Sequence, residues 1–146
     1  MRLTRRDRAS TLLLFPAAVM VLMVLGAIAV DLGSLYTARR TLVREVGAAA
    51  DDAAERIDIA RLRAGGPPTI DLDAARRAVL DDLALTDLPG RPVGPPEVRP
   101  GPDARTVVVQ VTRDLPHIFA RAVPGAPDHE RIVVRLTGTL TDPDDA

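Results

Sequence analysis

The chain has 146 residues, a mass of 15.6 kDa and a formal net charge of −1, which leaves room for one modest domain and excludes a large enzyme. Cysteine is absent, so disulfide scaffolds, thiolate metal sites, thiol nucleophiles and cysteine-linked lipids are excluded as well. The only aromatics are Phe15, Tyr36 and Phe119, little bulk with which to build a core.

Residues 1–11 form a basic tip in which Arg2, Arg5, Arg6 and Arg8 stand against Asp7. Residues 12–30 then run for 19 positions without a charged or hydrogen-bonding side chain. As a helix this run is about 28 Å long, close to the thickness of a bilayer's hydrocarbon core, and predicts one transmembrane span. Beyond it, residues 31–146 hold 15 Arg against 19 acids. The basic tip is therefore expected to stay in the cytoplasm, with everything from Asp31 onward outside. A second reading is a secreted binding module, because Ala27-Ile28-Ala29 has the small-x-small form of a signal-peptidase site, with cleavage near Ala29. Against it, the apolar run exceeds the usual signal core and the helical pattern continues past the cut. Gly26, Ala29 and Gly33 share one helical face, a small-residue surface on which another membrane helix can pack closely.

From Leu32 the apolar residues recur with helical period while Arg40, Arg44, Asp51, Glu55 and Asp58 fall opposite, predicting an external stalk over residues 31–64. With no proline between residues 17 and 66, span and stalk are expected to form one helix from Leu12 to Arg63, ended by Gly65-Gly66-Pro67-Pro68. It would project roughly 50 Å beyond the membrane. The stripe through Tyr36, Val43, Val46, Ala50 and Ala53 needs cover, part from the chain's own distal module, while the Ala-rich part around residues 48–54 suits tight packing by a neighbour. Pro16 falls early in the span, where a kink is tolerated or where a helix starts.

Residues 65–146 read as a small α+β module. Asp71 is placed to cap a helix with Leu72, Ala75, Val79, Leu80 and Leu83 on one side. Residues 89–102 carry six prolines and three glycines, too broken for more than a short edge strand over Glu97–Arg99. Two better strands follow, Arg105–Arg113 with Val107, Val109 and Val111 inward, and Arg131–Thr141 with Ile132, Val134, Leu136 and Leu140 inward. The segment between them, Leu115–Val123, reads as a short helix whose Phe119 plugs the sheet, and residues 142–146 as an acidic tail. The predicted architecture is a long helix, a short helix and a small antiparallel sheet.

No catalytic constellation emerges. His117 and His129 lack a second strong ligand at chelating spacing; Asp128-His129-Glu130 sits among turn residues and reads as a solvated loop. Ser10 and Ser34 are the only serines, one at the membrane's inner edge and one in the stalk, so no Ser-His-Asp arrangement is expected. Gly65-Gly66 is followed by prolines, which remove the backbone donors of a phosphate cradle. The outer part is acidic and poor in aromatics, which disfavours nucleic acid as a partner. No cofactor, metal or small-molecule substrate is expected, and the chain is read as a non-enzyme that acts by association.

The order of basic N-terminus, apolar span, Asp31, Leu35, Tyr36, Arg39, Leu42 and Ala-Ala-Asp-Asp-Ala-Ala at 49–54 resembles the TadE/TadG-like proteins of the tight-adherence (Flp) pilus system. The distal half is similar too: Val-Thr-Arg at 111–113, Pro116, Phe119-Ala120-Arg121 and a last strand beginning near Arg131. The resemblance implies a pilin-like fold and a place in the bacterial cytoplasmic membrane as a pilus-assembly or secretion accessory, with other proteins of that machine as partners. TadE-type members have a Gly cleavage point before the span and a Glu within it; here no Gly precedes Gly26 and no Glu precedes Glu45. Without that acid the chain looks more like a resident accessory of the TadG type than a filament subunit.

Overall fold

The computed structural model describes residues 5–141, with side chains described from residue 14 onward. Arg2 and the acidic tail at 142–146 lie outside these residues. Helix α1 spans Arg5–Ala54 and takes in Arg5, Arg6 and Arg8. It passes through Pro16, so this proline lies inside the helix and does not start it. Between Leu14 and Val30 almost every side chain of α1 is exposed. This is one helix long and apolar enough to cross a membrane.

The expected continuous helix to Arg63 is corrected by a break after Ala54. Residues 55–58 leave the helical path to pair with residues 69–71. Ile57 bridges Ile70, the Asp58 N–H donates to the Thr69 carbonyl at 2.9 Å, and the Asp71 N–H donates to the Arg56 carbonyl at 2.7 Å. Asp58 then caps the short helix α2, Ile59–Arg63, by accepting from the Arg61 N–H at 3.0 Å. An aspartate held by these bonds serves better as a cap than in a helix interior. The part of α1 beyond the apolar run, residues 31–54, is therefore about 36 Å long, shorter than the expected stalk.

Helix α3, Leu72–Leu85, starts where Asp71 predicts: its carboxylate accepts from the Asp73 and Ala74 N–H groups at 3.1 and 3.0 Å. Ala75, Val79 and Leu83 are buried; Leu80 is exposed. Four strands follow: β1 (Arg91–Pro92), β2 (Glu97–Pro100), β3 (Thr106–Pro116) and β4 (His129–Thr139). All pairings are antiparallel around β3, which pairs with β4 along its whole length. On the other side of β3, β2 covers residues 107–110 and β1 residues 113–114. The prolines between and within β1 and β2 keep this edge broken.

The inner face of the sheet presents Val107, Val109, Val111 and Leu115 from β3, with Ile132 and Val134 from β4. The alternation read from the sequence is thus realised. α1 lies across this face with Leu35, Leu42, Val46, Ala49, Ala50, Ala53 and Ala54 buried in the same core. The approach is closest at Gly138, where a Cβ would collide with the Ala50 backbone and reach Ala54 Cβ at 3.2 Å. Glycine is required there because two backbones touch. Lower down, Gly47 faces Leu136, whose Cδ1 would lie 3.6 Å from an added Cβ. Helix, helix and antiparallel sheet together form an α+β fold.

Candidate functional site

The end of the α+β module nearest the apolar run is built on Asp31, the first residue after that run. Asp31 lies on the same face of α1 as Leu35 and Leu42, four and eleven positions on, and is 6 % exposed. Its carboxylate meets the start of the β3–β4 connection, 87 to 89 residues away in the chain. One oxygen, Oδ1, accepts from the Ile118 N–H at 2.7 Å and the Phe119 N–H at 3.0 Å. The other, Oδ2, accepts from Ala120 at 2.7 Å and from Phe119 at 3.2 Å. Three successive backbone donors converge on one anion, as they do in anion-binding nests and at helix starts. Burial works against the charge, but the N–H groups of Phe119, Ala120 and Ile118 outweigh it, aided by nearby His117, and hold the carboxyl below its usual 3.8.

This contact corrects the reading of residues 115–123 as a helix. β3 continues to Pro116, Leu115 is the buried residue at 3 %, and only a single 3-10 turn, Ala120–Ala122, follows. Phe119 is 46 % exposed and outside the buried core, so it does not plug the sheet. The amides that a helix would have left unpaired at its first turn are taken by Asp31 instead.

A second loop is fixed beside the first. Arg113, at an inward position of β3, donates from Nε to the Pro89 carbonyl at 3.1 Å and from Nη2 to Leu88 and Gly90 at 2.5 and 2.8 Å. Burial lowers its pKa below the ordinary guanidinium range, and the three carbonyls compensate the partly buried cation. The Asp87–Pro89 segment thereby borders an open cleft along α1 whose other wall is Val30, Gly33, Thr37 and Thr41.

The sequence-predicted packing residues divide between two environments. Gly26, Ala29, Gly33, Tyr36 and Val43 are on open faces of α1, and a Cβ added at Gly26 or Gly33 meets nothing within 4 Å. Val46, Ala50 and Ala53 are at most 1 % exposed beneath the sheet and α3. The Ala-rich part of the stripe is thus covered by this chain's own module and not by a neighbour. Ser34, in α1, donates its hydroxyl to the Asp31 carbonyl at 2.8 Å. Among the described residues no group of three metal-ligating side chains is present. His129 Nδ1 lies 2.5 Å from Asp128 Oδ1, while Arg131 engages both oxygens of Asp114 at 2.9 and 3.1 Å. The Arg131 hydrogen bonds, aided by its charge and that of His129, hold the Asp114 carboxyl below its usual value despite partial burial.

Asp31 and its loop were not identifiable from local pattern. The available signal was an acid at the mouth of an apolar run, in phase with the buried stripe. No family model matches the chain, and neither a curated protein nor a solved structure is significantly similar to it.

Proposed function

We propose that this chain is a single-pass membrane accessory of a Tad/Flp-type pilus-assembly or secretion system, of the TadE/TadG-like kind. It works by helix packing and protein–protein association, without catalysis, and its partners are the membrane and other proteins of the machine. The N-terminal tip lies in the cytoplasm and the α+β module outside the cytoplasmic membrane. The observation that carries the reading is the open small-residue face of Gly26, Ala29 and Gly33, on a helix whose apolar run is almost wholly exposed. Such a face lets a second membrane helix approach to backbone contact. The apolar run, longer than the usual signal core, supports an anchored chain over the secreted one.

Site-specific crosslinking in membranes tests the packing face. Gly26→Leu with Gly33→Leu is expected to reduce crosslinks to partner membrane proteins while the chain stays in the membrane fraction. Unchanged crosslinking removes this face from the proposal, and a mature chain beginning at Val30 replaces it with the secreted module.

A further inference from the structure

The β3–β4 connection presents apolar side chains where a membrane protein has its surface. Ile118, Phe119 and Val123 are 45, 46 and 58 % exposed, and Arg121 is exposed among them. Residues 118–120 are bonded through their own amides to Asp31 at 2.7 to 3.2 Å. Their height is therefore that of the residue following Val30. The headgroup layer extends about 5 to 8 Å on each side of the hydrocarbon core, so a segment tied to that residue falls within it. Leu32, the next residue of α1 after Asp31, is exposed as well.

We propose that residues 117–124 form a membrane foot: Ile118, Phe119 and Val123 insert into the headgroup layer of the bilayer that α1 spans, with Arg121 facing lipid phosphate. Asp31 is the joint. By holding three backbone amides it sets the depth of the foot and prevents the module from swinging about the helix. A loop with apolar tips and a cation at this height suits an interface with anionic lipid. The inference rests on the membrane reading above.

The chain lacks cysteine, so single-cysteine variants carry one polarity-sensitive fluorophore each. Full-length protein is reconstituted in vesicles of phosphatidylethanolamine and phosphatidylglycerol. Val123→Cys reports the foot and Met20→Cys the span. Leu85→Cys, 89 % exposed and bordering the same hollow as Glu45 and Ala48, reports the aqueous side. The expected result is blue-shifted emission at 20 and 123, aqueous emission at 85, and quenching of the 123 probe by nitroxide lipids labelled near the headgroup. Adding Asp31→Ala shifts the 123 probe toward aqueous emission and leaves the probe at 20 unchanged. Ile118→Ser with Phe119→Ser, at exposed positions that leave the core intact, does the same. An aqueous 123 probe beside a lipid-embedded probe at 20 overturns the foot and leaves the span standing; an aqueous probe at 20 overturns both. A 123 probe that stays blue-shifted in both sets of variants overturns the assignment of these residues.

Discussion

Gly138→Ala is expected to be the most damaging one-carbon change in the module. The added Cβ would fall inside van der Waals contact of the Ala50 carbonyl oxygen and 2.5 Å from its carbon, with Ala54 Cβ at 3.2 Å. The obstacle is helix backbone, so no side chain can rotate away and α1 must lift from β4. Overpacking costs typically 1–3 kcal/mol, and a backbone obstacle places this site near about 3 kcal/mol, roughly a hundredfold in the folded-to-unfolded ratio. Gly47→Ala supplies the opposite sign on the same interface. Its Cβ would meet only Leu136 Cδ1, at an ordinary 3.6 Å, and alanine in a helix interior gains about 0.5–1 kcal/mol over glycine. Urea titration of the full chain in detergent micelles, read by pulse proteolysis of the distal module, measures both. A Gly138→Ala protein as stable as the parent would refute the close helix–strand approach, and a destabilised Gly47→Ala protein would refute the spacing at Leu136.

Leu42 is 0 % exposed at the centre of the stripe, so Leu42→Ala is expected to cost about 3 kcal/mol in the same titration, whereas Leu85→Ala, at an exposed position, costs under about 0.5. The pH response of the Asp31 joint has a defined sign. Its folded-state pKa lies below the usual 3.8, so its contribution is complete above that value and disappears as pH falls through the lower folded pKa. The side-chain carboxyl carbon resonance of Asp31 is therefore expected to show its protonation step only below 3.8; a step above that value would contradict the carboxylate assignment.

Local chemistry made much of the fold legible. Alternating valines at 107, 109 and 111 marked β3, and Asp71 marked the start of α3, because a strand face and a helix cap are each decided within a few residues. Competition between distant segments was not legible. The helical period ran on through Ile57 and Ala60, yet Ile57 is taken by Ile70 and Asp58 by a cap. Residues 115–123 carried a plausible helical pattern, but their amides belong to Asp31, which no local rule brings near them. The packing stripe was legible as a stripe, while its division between partner and own core depended on where β4 would lie. Val46, Ala50 and Ala53 face that sheet, whereas Tyr36 and Val43 stand about a quarter turn away and remain open.

Trypsin treatment of spheroplasts, with mass analysis of the fragment left in the membrane, tests the anchored topology most directly. The first arginine beyond the span is Arg39, exposed on α1. The expected remnant begins at the native N-terminus and ends at or beyond Arg39, with the module digested. A chain protected from external protease, or a soluble species beginning at Val30, would contradict it.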